Sequence, residues 1–177
     1  MAPPLTARET AMFRRSITKR AAVVTATALV ALGTVGTVAA TAGPEHEKKP
    51  TRAEIAGLFT TWNAALKTGD ADRVADLYAK DAVLLPTVSN KVRSDRAGIV
   101  DYFEHFLKNK PVGKKVHTIV NVLDGNSAID TGVYEFTLTD PETGAKRVVE
   151  ARYTYEYEKR HGQWKIVNHH SSAMPEG

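Results

Sequence analysis

"RYTYEYEKRHGQWKIVNHHSS", Arg152 to Ser172, decides the fold. Polar and apolar or aromatic residues alternate along it, and His161-Gly162 interrupts the alternation between two strand-like runs. A two-residue break containing glycine suits a tight hairpin, because the tip needs positive φ. The segment therefore predicts two antiparallel strands. Counting back from the tip pairs Arg160 with Gln163, Tyr157 with Ile166, Tyr155 with Asn168, Thr154 with His169 and Tyr153 with His170. Facing residues share one side of a sheet. One side then holds Tyr153, Tyr155, Tyr157, Trp164, Ile166, Asn168 and His170, and the other holds Thr154, Glu156, Glu158, Lys165, Val167 and His169.

The aromatic side is the one that can pack on other elements, so this count turns His170 inward and His169 outward. Successive strand residues point to opposite faces, so the two imidazoles cannot ligate one metal ion in this register; a bulge at the pair is the one easy escape. The inward group is an apolar wall with hydroxyl, amide and imidazole groups at one end. Leaving any of those polar groups buried and unpaired costs about 1–3 kcal/mol, so they bond one another, a water or a ligand. The pattern fits a satisfied polar cluster within a core and an open ligand pocket equally well.

Upstream of this hairpin the period is helical. Thr51 and Glu54 form a capping box ahead of Ile55, Leu58, Phe59, Trp62 and Leu66, and Gly69 closes the helix. Trp62 reads as a core residue that could also roof a pocket. "DADRVADLYAKDAVLLP" predicts a short second helix with Val74, Leu77 and Tyr78 inward, then a strand over 82–85. Ser94 is expected to cap a third helix carrying Ile99, Tyr102, Phe103, Phe106 and Leu107, with Arg93 and Arg96 facing solvent. From Lys115 the period becomes two, in four runs separated by "DGN", "DPETG" and "RHG". Helices followed by an antiparallel meander make an α+β chain, in which the sheet must curl around three N-terminal helices to bury their stripes.

Residues 1–42 read as a signal peptide. Arg14, Arg15, Lys19 and Arg20 precede a weakly apolar run that ends in Ala40-Thr41-Ala42. "RRSITK" resembles a twin-arginine export signal, which predicts a secreted or cell-envelope protein; an uncleaved anchor is the alternative and the one membrane attachment expected. Residues 43–50 read as a flexible tether and 51–176 as one domain. Of 24 Lys and Arg residues and 20 Asp and Glu residues, the signal takes five and one, leaving nineteen of each. The net charge of +4 thus belongs to the targeting segment and gives no argument for a nucleic-acid partner. The chain has no cysteine, which excludes disulfides, thiolate metal sites and thiol nucleophiles. Neither a Gly-rich dinucleotide fingerprint nor a metal cluster is present, so no cofactor is expected.

"LFTTWNAALKTGDADRVADLYAKDAVLLP", "GIVDYFEHFL" and "HGQWKIVNHHSSAMPE" resemble the nuclear transport factor 2-like superfamily. Within it the chain is similar to the calcium/calmodulin-dependent protein kinase II association domain and its small bacterial relatives of the SgcJ/EcaC and SnoaL-like types. The resemblance implies a cystatin-like cone, a curved antiparallel sheet wrapped around helices and open at one end to a pocket. Members commonly carry histidine where Asn168 stands, which removes one titratable group from the expected pocket. Two functions follow as expectations. One is a secreted small-molecule-binding domain that self-associates as a homodimer or higher oligomer, with Trp62, Tyr153, Tyr155, Asn168 and His170 as ligand contacts. The other is a cofactor-independent isomerase, cyclase or dehydratase, or an oxidoreductase by family label, with His170 as base. The inward positions assignable from the hairpin contain no carboxylate to orient that histidine.

Overall fold

The computed structural model describes residues 48–175. The signal peptide and most of the tether fall outside them. Helix α1, Arg52–Lys67, begins at the expected capping box: the Thr51 hydroxyl accepts from the Glu54 amide, and the Glu54 carboxylate accepts from the Thr51 amide at 2.6 Å. Its buried stripe is Ile55, Phe59, Trp62 and Leu66, and Gly69 follows the helix with φ 73°.

Helix α2, Ala71–Ala75, is shorter than its pattern suggests, and strand β1, Tyr78–Leu85, starts earlier. Tyr78 is therefore a strand residue. The cause is pairing: β1 lies parallel to the last strand, and the Ile166 amide donates to the Leu77 carbonyl at 2.9 Å just where the helix ends. Helix α3, Arg96–Phe106, is capped by Asp95 rather than Ser94, with the Asp95 carboxylate accepting from the Gly98 amide at 2.7 Å. A carboxylate at this position also faces the positive end of the helix dipole. Arg93 does not face solvent as expected: its side chain is 10% exposed and pairs with Asp101.

Strands β2 (Val112–Val122), β3 (Ser127–Thr139), β4 (Lys146–Arg160) and β5 (Gln163–Ala173) complete an open sheet of order β1-β5-β4-β3-β2. The meander is antiparallel as expected, and β1 adds one parallel edge strand. Helices cover one face of the sheet. Trp62 sits at the centre of that interface, with the rings of Phe59, Phe103, Phe136, Tyr155 and His169 all 5.5–6.2 Å from it. Gly132 faces Tyr153 beside an irregularity in β2, where any side chain at position 132 would run into the His117 carbonyl oxygen. The close approach of backbone to backbone there requires glycine.

The β4–β5 hairpin forms at the expected tip. His161 and Gly162 both have positive φ, 53° and 79°, the geometry that matches strand twist in a two-residue loop. Pairing follows the sequence count as far as Tyr157 with Ile166, and then Glu156 pairs with Asn168. Val167 is the extra residue of a β-bulge. Beyond it Tyr155 faces His169 and Thr154 faces His170, one step away from the regular register. Because side chains alternate with period two, a single extra residue exchanges the faces of everything after it. The inward assignment of Asn168 and His170 is thereby reversed: His169 is 3% exposed, whereas His170 is exposed and Asn168 lies half-buried on the Glu156 side. The two imidazoles still point to opposite faces.

Candidate functional site

The inner face is built of rows that run across the strands. Leu84, His169, Tyr155 and Asp130 are aligned by backbone pairing from β1 to β3, and all four are buried. His169 stacks on Tyr155 with ring centroids 4.1 Å apart. Its Nδ1 lies 2.8 Å from the Tyr78 hydroxyl, which in turn lies 3.2 Å from Trp62 Nε1.

The protons in this chain can be assigned by counting. Indole N–H only donates, so the Tyr78 oxygen accepts from Trp62. The Tyr78 proton then has His169 Nδ1 as its acceptor, and the reverse order would strand a buried hydroxyl proton as well as a ring nitrogen. His169 is therefore the neutral tautomer protonated on Nε2. Burial, with a smaller contribution from His170, pushes its pKa down from 6.5 to about 3. Burial likewise raises the Tyr78 and Tyr155 hydroxyls well above the ordinary tyrosine value, so both keep their protons. His169 Nε2 has no hydrogen-bond partner among the described residues.

Beside this row lies a cavity of about 90 Å³. Trp62, Leu84, Phe103, Phe106, Phe136 and Leu138 give it an apolar wall, and Val88 and Arg147 stand at its exposed rim. His169 and Ser171, two residues apart on the inward side of β5, supply polar groups on one wall. The Tyr134 hydroxyl donates to Ser171 Oγ at 2.6 Å, and Ser171 Oγ is hydrogen-bonded to Thr87 Oγ1.

A second polar cluster occupies the same face further along β3. Asp130, fully buried, pairs with Lys115 and accepts from the Tyr153 hydroxyl at 3.0 Å. Lys115 also donates to the Ala56 carbonyl and lies over the rings of Phe59 and Tyr153. An inward carboxylate thus comes from β3, outside the hairpin whose inward positions hold none, and it does not serve a histidine. Asp130 stands two strands from His169, about 10 Å by ordinary strand spacing, with Tyr155 between them.

Of the five side chains expected to contact a ligand, Trp62 alone lines this cavity. Tyr153 is committed to Asp130, Tyr155 backs His169 with its own hydroxyl unpaired, and Asn168 and His170 are on the opposite side of β5. His169, Ser171, Tyr134 and Asp130 are polar residues that the sequence did not place at the site, whereas Tyr78 was expected inward, from a helix and not from a strand. Alternation along "SAIDTGVYEF" puts Ala128, Asp130 and Tyr134 on one face, so parity in β3 could have found two of them.

The model of the calcium/calmodulin dependent protein kinase II association domain matches residues 51–175. A solved structure from Xanthomonas campestris, named for that same association domain, is 57% identical, with 75% of this chain and 99% of that chain covered and a TM-score of 0.70. The association domain of the C. elegans kinase is 14% identical, with 69% and 95% covered and a TM-score of 0.57, a likeness of fold. A ketosteroid isomerase-like protein from Erwinia carotovora is similar in fold at 15% identity, with 69% and 95% covered and a TM-score of 0.58. A search of curated proteins returns no match. With its matched span covering nearly every described residue, this chain belongs to the calcium/calmodulin dependent protein kinase II association domain family.

Proposed function

We propose that this protein is an exported domain that binds a small molecule in the cavity beside His169 and self-associates in the manner its family name denotes. The observation that carries the binding half is the cavity itself: an apolar wall with a few convergent polar groups, one of them a buried imidazole nitrogen without a partner. Self-association is supported by family membership and by apolar side chains left on the surface. Val112, Val116 and Ile119 on edge strand β2, and Leu123 just beyond it, are 45–51% exposed, and Val148 on β4 is 65% exposed. Export is supported by the basic and small-residue pattern of residues 1–42.

The geometry favours binding over acid–base catalysis by either neighbouring histidine. His170 lies outside the cavity, and the basic nitrogen of His169 is occupied by the Tyr78 proton. A thermal-shift screen of small molecules against the secreted protein tests this reading, with each hit then assayed for conversion. Ligands should stabilise the protein unchanged and lose effect when Leu84→Trp fills the cavity. Turnover of a hit, or stabilisation indifferent to Leu84→Trp, would contradict it, and N-terminal sequencing that finds Met1 on the secreted protein would contradict cleaved export.

A further inference from the structure

We propose that the cavity takes an uncharged, largely apolar ring compound whose buried end carries a hydrogen-bond acceptor, as in an aromatic ketone. This deepens the pocket-binding reading and rests on it. At His169, Trp62 donates to Tyr78 and Tyr78 donates to Nδ1, which leaves an N–H on Nε2 with no acceptor among the described residues. In the hydroxyl chain, Tyr134, Ser171 and Thr87 bring three protons to two hydrogen bonds, so one proton is left over on Ser171 or Thr87 whichever of the two donates. The residues that carry the surplus donors all border the cavity: His169 and Ser171 are successive inward residues of β5, about 7 Å apart along the strand, and Thr87 is bonded to Ser171.

The rest of the lining limits the ligand further. Among the described residues no carboxylate lines the cavity, and the one permanent cation that does, Arg147, is exposed at the rim. An anion placed at the inner wall would lose its water without gaining a counter-charge, whereas a carbonyl oxygen would meet donors that otherwise go unpaired. Phe103, Phe106 and Phe136 give a ring its apolar surroundings.

The test compares acetophenone with isopropylbenzene, which matches its shape but lacks the carbonyl, and with benzoate. Binding of each to the whole protein is measured by calorimetry and by thermal shift, in wild type and in Ser171→Ala and His169→Phe. After correction for their transfer from water into a hydrocarbon solvent, acetophenone should bind about tenfold or more tighter than isopropylbenzene, and at least one variant should reduce that preference about threefold or more. A matched pair that binds wild type in the ratio of its transfer into hydrocarbon alone would overturn the acceptor claim and leave the pocket reading standing. Benzoate as the tightest of the three would overturn the uncharged class. A preference unchanged in both variants would overturn the assignment of donors. No stabilisation by any of the three would overturn this proposal and the pocket reading together. The wild-type comparison needs no variant, so it holds even where a substitution unfolds the protein.

Discussion

At the scale of single residues, two buried groups carry opposite electrostatic burdens. His169 stays neutral because its surroundings are aromatic, and its depressed pKa links it to stability. Between pH 6.5 and about 3 the unfolded chain binds a proton at this residue and the folded chain does not, so stability is complete above the window and falls as pH falls through it. Urea unfolding at pH 7 and pH 5 should show wild type losing about 2 kcal/mol more than His169→Gln on acidification, since each unit of pH is worth about 1.4 kcal/mol per proton. Parallel losses in the two proteins would refute the neutral, buried imidazole. Asp130 has the reverse problem, a fully buried carboxylate that depends on Lys115. Lys115→Met should cost about 3–5 kcal/mol by leaving that charge uncompensated, and adding Asp130→Leu should recover most of the loss. Equal destabilisation by the single and the double substitution, read from urea midpoints, would show that the pair matters through packing and not through charge.

The element that sets the site is the β4–β5 hairpin, and its decisive feature is Val167. Without the bulge, Asn168 and His170 would be carried into the core and His169 and Ser171 out of it, breaking both the Tyr78 bond and the Tyr134 bond. Deleting Val167 removes the extra residue together with the bulge, so Asn168 should stay opposite Glu156 and His169 opposite Tyr155 in a regular ladder, and the protein should fold, losing only the packing of Val167 itself. A deletion protein whose His169 titrates near 6.5, as an exposed imidazole does, would show that the strand slips and would contradict this reading of the bulge. This also explains which parts of the molecule were legible beforehand. The capping box at Thr51, the I′-type tip at His161-Gly162 and the switch from helical to strand period are local features, each written in a few consecutive residues. The bulge is not local: nothing in "WKIVNHH" marks Val167 as the unpaired residue, because its cause is the need to bring an inward histidine opposite Tyr155 and Tyr78. The parallel pairing of β1 was hidden for the same reason, being set by contacts with β5 some eighty residues away. Trp62 was recognisable as both core and pocket residue because its helical spacing alone turns it inward.

At the scale of the whole molecule, a helix-filled sheet leaves its other face and its β2 edge to be accounted for. The inner face is spent on α1 and α3 and on the cavity, so among the described residues apolar side chains at 116, 119, 123 and 148 remain exposed. An exposed edge strand with valine and isoleucine on it is an aggregation hazard unless another chain covers it. Closed association of identical chains removes that hazard, and a symmetric dimer is the simplest form it takes. Sedimentation equilibrium of the purified protein at about 1–100 μM, in wild type and in a Val116→Glu, Ile119→Glu variant, tests this central claim most directly. The account predicts a wild-type mass at least twice that of the single chain and a folded variant shifted toward the monomer; a wild type at monomer mass across the whole range would contradict it.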